Sequence, residues 1–256
     1  ARTRYRAYTD AREAMLEAVG AAAFAHGEHP IAGESAEAGA TALRRRYREL
    51  LAEVVLYDLL QGDVAGGDGA AEAFSEVSRS LSALAGAALE AGLAVARATV
   101  IAGVAGPALE PQRVAATSLA IVAMGKCGAN ELNVVSDVDV MFIAGHAADA
   151  DAAGLDGEAM LRIATRLATE TMRAIHDPGA EPPLWQVEPN LRPEGRQGAL
   201  VRTLSSMLAY YERWAKAWEF QALLKARPVA GDLALGDEFV ARTRSLGWAS
   251  SGRGDF

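Results

Sequence analysis

The chain has 256 residues, of which 51% are hydrophobic and 23% charged, with a formal net charge of −8 at pH 7 and a mean hydropathy of +0.07. No uninterrupted apolar run approaches the roughly 18 residues of a membrane span, and the acidic balance argues against a general nucleic-acid binder, whose footprint is a positive patch. The single cysteine, Cys127, excludes a disulfide framework and a four-cysteine zinc site and fits a cytoplasmic location.

The first 108 residues carry the pattern of an all-helical region. Apolar residues recur at helical spacing over Tyr5–Ala25, from a predicted N-cap at Thr41 onward, and from about Ala71 to Ala102. The glycine-rich run Gln61–Ala70 separates the last two segments and predicts a break. No residues here have the spacing of a catalytic site, so we predict a helical bundle or docking layer.

The pattern changes after Gly106, where short apolar runs alternate with helical segments. This order predicts an α+β fold with a small mixed sheet. We predict, in chain order, a strand at Leu119–Gly125, a turn at Gly125–Gly128, a strand at Val134–Ile143, a helix at Gly154–His176, a strand at Leu184–Glu188, a loop at Arg192–Gly198 and a long helix at Thr203–Leu224. The predicted parts are a helical N-terminal region (1–108), a catalytic domain (109–232) and the start of a truncated C-terminal helical part (233–256).

Two aspartates interrupt the most strand-like segment of the chain. Asp137 and Asp139 lie in a run that is otherwise nearly all apolar, although aspartate is disfavoured in strands. Because side chains two apart share one face of a strand, both carboxylates are expected to project together. They repel each other unless a cation lies between them, and carboxylate oxygens suit Mg²⁺ or Mn²⁺. The alternative is an edge strand that uses charge to prevent aggregation.

A third carboxylate is expected from another element, as in two-metal phosphoryl-transfer sites. Glu188 is the candidate, because it ends the third predicted strand and shares a face with Gln186. Its alternative interpretation is an exposed glutamate at the end of a strand.

Two glycine-containing segments have the composition of phosphate-binding loops. Gly125 and Gly128 flank Lys126, and glycine allows the backbone to approach a phosphate closely. The spacing is not that of a Walker A loop, and tight turns after strands use the same residues. The later loop carries Arg192 and Arg196, whose guanidinium groups suit phosphate oxygens, although a solvated surface turn is an equal alternative.

Three blocks in this order resemble the glutamine synthetase adenylyltransferase/adenylyl-removing family, which is similar to polymerase-β-type nucleotidyltransferases. The first block is Gly125–Asp139 (GKCGANELNVVSDVD), the second Val187–Gly198 (VEPNLRPEGRQG) and the third Tyr210–Asp232, which contains WEFQALLKAR. The resemblance covers roughly residues 41–240. It implies a polymerase-β-like nucleotidyltransferase domain after the helical region, in a chain that is a fragment of a longer enzyme.

The resemblance implies one of two opposed reactions. Family members hold two catalytic halves, one transferring AMP from ATP to a tyrosine of glutamine synthetase and one removing it by phosphorolysis, with release of ADP. Asn133 resembles the first, adenylyl-removing half, so we predict removal, with the adenylylating half as the alternative. The implied partners are glutamine synthetase, ATP or ADP, phosphate and a PII-type signalling protein, with no membrane and no nucleic acid.

The resemblance also implies roles for the candidate residues. Two divalent ions, Mg²⁺ or Mn²⁺, would bridge Asp137, Asp139 and Glu188. The nucleotide phosphates would be held by Gly125, Lys126, Gly128 and Ser136, and the incoming phosphate by Arg192 or Arg196. The family usually has aspartate where this chain has Glu188, which also keeps open a catalytically weak regulatory module that senses nucleotide or binds a partner. A nucleotidyltransferase acting on RNA or a small molecule is disfavoured by the acidity and by the three blocks.

Overall fold

The computed structural model describes residues 8–21, 29–62, 68–104, 106–147 and 153–251. The predicted glycine-rich break and the ends of the predicted first helix lie partly outside the described residues. The first part of the chain is helical, as expected, and its helices are α1 (Tyr8–Ala18), α2 (Ala36–Gly62) and α3 (Asp68–Ala102).

Helix α3 is the central helix of this part and contacts both α1 and α2. Its apolar residues recur at the helical period, and Leu81, Leu84, Ala88 and Leu89 are all buried. By length and composition the segment 71–102 would be long and apolar enough to cross a membrane, but 89% of its most apolar window is buried inside the protein. Among the described residues α3 is therefore the one such helix, and it is a core helix here.

The rest of the chain alternates strands and helices. In chain order the elements are α4 (Pro111–Ala115), β1 (Thr117–Ala123), α5 (Gly125–Gly128), β2 (Val138–His146), α6 (Gly157–His176), β3 (Val187–Glu188), β4 (Val201–Thr203), α7 (Leu204–Arg213), α8 (Ala217–Leu223), β5 (Arg227–Gly231) and α9 (Leu233–Ser251).

The five strands form one mixed sheet in the order β3-β2-β1-β5, and β4 also pairs with β2. Strand β1 is antiparallel to both β2 and β5, whereas β3 and β4 run parallel to β2. Strand β3 pairs with the start of β2 and β4 with its later part, at Phe142–Ala144. The prediction of an α+β fold with a small mixed sheet is confirmed.

Each face of the sheet has its own core. Val138, Val140 and Phe142 belong to a cluster that continues into α3 and α6, so the helical part and the sheet share one core across the predicted boundary at residues 108–109. Met141 and Ile143, which point the other way, belong to a second cluster with α7, α8 and α9. Asp139 has the same parity as Met141 and lies at the end of this second face.

Several predicted boundaries were wrong. The second strand begins at Val138 rather than Val134, and helix α2 begins before Thr41, which therefore does not cap it. The long helix predicted over Thr203–Leu224 is two helices, α7 and α8, that meet near Trp214. Strands β4 and β5 were not predicted.

The end of β5 needs glycine for two reasons. Gly231 has φ +71, and a Cβ there would lie 1.9 Å from the carbonyl oxygen of Leu119 in β1. Its N–H donates a 2.6 Å hydrogen bond to the carboxylate of Glu90, a buried residue of α3 that also accepts from Arg12 of α1. The sheet and two helices therefore converge on this one backbone position.

We predict that Gly231→Ala destabilises the fold by about 3–5 kcal/mol, because a positive φ and a steric clash both oppose a side chain. Gly154→Ala is the matched control: Gly154 has φ +58, but no atom lies within 4 Å of its added Cβ, so only the φ penalty of about 1–2 kcal/mol applies. Urea unfolding of both variants measures the difference. Equal destabilisation of the two would contradict the close approach of β5 to β1.

Candidate functional site

The turn after β1 brings backbone against a carboxylate. Gly125 has φ +51, and a Cβ on it would lie 2.7 Å from Oδ2 of Asp139. The N–H of Met124, immediately before the turn, donates a 2.9 Å hydrogen bond to the carbonyl of Asp139. Glycine at this position therefore lets the turn and the aspartate occupy the same corner of the sheet.

The other end of the turn is equally close to a neighbouring segment. A Cβ on Gly128 would lie 1.9 Å from the carbonyl oxygen of Lys225. Arg227 donates hydrogen bonds to the carbonyls of Gly128 (3.1 Å) and Cys127 (2.9 Å), which fixes the last carbonyls of α5. Sequence reasoning did not assign a role to Arg227, although it lies within the third block.

The sheet register places the second and third acidic candidates side by side. In the parallel pair of β2 and β3, Asp139 is the partner of Glu188 and Val138 the partner of Val187. Neighbouring strands are about 4.8 Å apart, so both carboxylates start from adjacent backbone positions on one face. The amide of Asn190 donates a 3.2 Å hydrogen bond to Oε2 of Glu188. Asn190 was not singled out from the sequence.

Asp137 lies just before β2 rather than within it and is exposed, and Ser136 beside it is half-buried. We predicted that Asp137 and Asp139 share one face of a strand, but β2 begins at Val138 and Asp137 lies outside it. Asp137 nevertheless acts on Asp139 electrostatically.

The electrostatics of Asp139 reflect a local excess of negative charge. Partial burial raises the pKa of the Asp139 carboxyl, the charges of Asp137 and Glu188 raise it further, and the Lys126 ammonium lowers it. Three acidic side chains and one lysine therefore act on one another at the corner formed by β2, β3 and the α5 turn. Such an arrangement favours the binding of a cation.

Among the described side chains, no three His, Cys, Asp or Glu residues are arranged to hold a metal ion by themselves. Mg²⁺ does not require such a cage, because it usually binds through one or two carboxylates together with substrate phosphates and waters. Asp139 and Glu188, adjacent in the register and repelling each other, fit a divalent ion of that kind.

The two arginines of the later loop have different surroundings. Arg192 is 9% exposed, and its guanidinium donates to three backbone carbonyls of its own loop. Arg196 is exposed, so its guanidinium lies at the surface of the loop that follows Glu188. The structure thus separates two residues that the sequence treated as equivalent.

Comparison with known proteins identifies the family of the chain. Residues 28–242 match the family model described as glutamate-ammonia ligase adenylyltransferase. The chain belongs to this family. It is 52% identical over 96% of its length to a bifunctional glutamine synthetase adenylyltransferase/adenylyl-removing enzyme of Leifsonia xyli subsp. xyli, of which it covers 23%.

Other members of the family are similarly close. Proteins of the same description from Streptomyces avermitilis and Cutibacterium acnes are 46% and 42% identical over 88% and 91% of the chain. The chain covers 20% and 22% of those two proteins. It therefore corresponds to about a fifth of the length of the family members it matches.

Cys127, in the glycine turn, is a buried free thiol. Burial raises its pKa to about 11, with Asp139 adding to the effect and Arg227 opposing it.

We predict that native Cys127 reacts with iodoacetamide far more slowly than the urea-unfolded chain, because only about a thousandth of a thiol with this pKa is thiolate at pH 8. Its rate should still rise up to pH 10, whereas that of the unfolded thiol, with a pKa of about 8.5, levels off earlier. Equal rates at pH 8 would contradict a buried turn.

Proposed function

We propose that this chain removes AMP from an adenylylated tyrosine of glutamine synthetase by phosphorolysis and releases ADP. The observation that carries the proposal is the register of β2 and β3, which pairs Asp139 with Glu188 beside the glycine turn of α5. Membership of the family and the names of the relatives support glutamine synthetase as the protein substrate. Asn133 in the first block supports the adenylyl-removing half.

In the proposed reaction an oxygen of inorganic phosphate attacks the phosphorus of the tyrosyl-AMP group. A new P–O–P linkage forms, the bond from phosphorus to the tyrosine oxygen breaks, and that oxygen leaves with the electron pair and takes up a proton. The products are ADP and the unmodified tyrosine. Little covalent chemistry falls to the protein, so positioning and charge stabilisation account for the acceleration.

The carboxylates of Asp137, Asp139 and Glu188 would hold Mg²⁺ or Mn²⁺ together with the substrate phosphates. When bound, such ions neutralise the charge of the phosphate oxygens. Asp139 is fixed most firmly, by its strand and by the Met124 N–H on its carbonyl. Asp137, which precedes the strand and is exposed, would reach a metal from the solvent side.

The phosphates of the nucleotide would contact the turn of α5. Gly125 and Gly128 let this turn pack tightly against Asp139 and the Lys225 carbonyl, and Lys126 supplies the positive charge that acts on Asp139. Ser136, half-buried at the entry to β2, would donate from its hydroxyl. We assign the incoming phosphate to Arg196, because the guanidinium of Arg192 is occupied by backbone carbonyls.

We predict that Asp139→Asn lowers the rate of ADP release from adenylylated glutamine synthetase, with Mg²⁺ and phosphate, by about a hundredfold or more. The neutral amide would remove a metal ligand while keeping the shape of the side chain. Asp237→Asn, at an exposed position of α9, is the matched control and should keep the wild-type rate. An Asp139→Asn variant as active as wild type would overturn the site assignment.

The same assay separates the alternatives. Consumption of ATP with release of pyrophosphate, instead of ADP formation from phosphate, would identify the adenylylating half. No turnover in either direction, together with unchanged thermal stability on adding Mg²⁺ and ADP, would favour a regulatory module that binds a partner, because nucleotide binding would raise the stability of the folded protein. A PII-type partner stays a prediction that a binding measurement would test separately.

A further inference from the structure

The loop that follows Glu188, residues 189–198, folds around the side chain of Arg192. The Arg192 Nη1 donates to the carbonyl of Pro189 (2.7 Å), Nε to that of Gly198 (3.1 Å) and Nη2 to that of Arg196 (3.2 Å). All three guanidinium nitrogens thus contact backbone oxygens from both ends of one loop. A planar guanidinium is suited to this because its donors point outward in fixed directions.

The backbone of the same loop is shaped to bring those carbonyls together. Glu194 and Gly195 have φ values of +64 and +58, which turn the chain back on itself. The N–H of Gly195 donates to the carbonyl of Arg192 (2.8 Å), and a Cβ on Gly198 would lie 2.0 Å from the carbonyl of Pro193. The loop therefore has little freedom while the arginine is in place.

The charge of Arg192 is not directed to a carboxylate. None of the ion pairs formed among the described residues includes Arg192, and burial lowers the pKa of its guanidinium. A nearly buried cation held by three carbonyls has a cost in desolvation that a simple surface turn would not require. The three carbonyl contacts therefore indicate that Arg192 serves to hold this loop in shape.

The loop is directly joined to the carboxylate of Glu188. Pro189, whose carbonyl accepts from Arg192, is the next residue in the chain, and Asn190 donates from its amide to Oε2 of Glu188. A glutamate side chain has three rotatable bonds, so its carboxylate needs such a contact to stay in one place. At the outer side of the loop, Arg202 of β4 forms an ion pair with Glu194, which ties the loop to the sheet.

We propose that Arg192 is a positioning residue: it holds the loop 189–198 so that Asn190 keeps the Glu188 carboxylate beside Asp139, and it does not bind the incoming phosphate. This inference rests on the proposed function, because it assumes that Glu188 binds the divalent ion. It assigns separate tasks to two arginines four residues apart, with Arg192 acting on metal binding and Arg196 on phosphate binding.

The test compares three variants with the wild-type chain. Arg192→Gln removes the guanidinium fork. Gly198→Ala deforms the same loop without changing any charge, because its Cβ would clash with the carbonyl of Pro193. Arg196→Gln is the matched control for the loss of one positive charge from an exposed position of the loop.

Three quantities are measured: Mn²⁺ affinity by electron paramagnetic resonance, hydrogen exchange of the Gly195 and Gly198 amides, and the split between kcat and the KM for phosphate. We expect Arg192→Gln and Gly198→Ala to weaken Mn²⁺ binding about tenfold or more, as the loss of supporting contacts at metal sites typically does. Both should speed exchange of the two amides and lower kcat, and because Arg196 lies in the same loop, any rise in the KM for phosphate should come together with the weaker Mn²⁺ binding. Arg196→Gln should raise that KM and leave Mn²⁺ affinity and exchange unchanged.

Two outcomes would overturn the inference, and a third would overturn the proposed function. If Arg192→Gln raises the KM for phosphate and keeps wild-type Mn²⁺ affinity, Arg192 is a phosphate ligand and the inference is wrong. If Arg192→Gln does not fold, Gly198→Ala carries the same test, and wild-type Mn²⁺ affinity in that variant overturns the inference. Wild-type protein that binds no Mn²⁺, even with ADP, would instead overturn the proposed function, while the exchange of the loop amides would still report whether Arg192 holds the loop.

Discussion

The parallel pairing of β2 with the two residues of β3 is the constraint on which the candidate site depends. Strand β2 lies inside the sheet and pairs with β1. Strand β3 consists only of Val187 and Glu188, and it is supported by helix α6 before it and by the loop after it. A shift of one residue in this register would turn Glu188 to the opposite face of the sheet. The small strand therefore decides whether an acid from a distant part of the sequence meets Asp139.

This pairing has an electrostatic cost in the free protein. Asp139 and Glu188 repel each other, and Asp137 adds a third negative charge, while Lys126 is the positive charge that opposes them. The surrounding structure maintains the arrangement through the buried residues of β2, the tight turn at Gly125 and the loop around Arg192. A rigid scaffold that holds negative charges together is suited to bind a cation, because the folded structure has already brought the charges close.

The features that could be predicted from the sequence are those that depend on residues close together in the chain. Two acids in an apolar run and two glycines around a lysine singled out candidate residues, although Asp137 lies before the strand and not within it. Parity predicted only that Glu188 shares a face with Gln186. Strands β4 and β5 were missed because they are short, β5 contains a proline, and both depend on distant partners for their pairing. The different tasks of the two loop arginines could not be predicted either, since they depend on backbone carbonyls that converge only after the chain turns at Glu194.

The most direct test of metal binding by Asp139 and Glu188 is a crystal structure of the chain with Mn²⁺ and ADP, in which anomalous scattering locates the metal. We expect a manganese ion coordinated by carboxylate oxygens of both Asp139 and Glu188 and by phosphate oxygens of the nucleotide next to the turn of α5. Manganese and nucleotide bound elsewhere, or bound here with Glu188 turned away from Asp139, would contradict it.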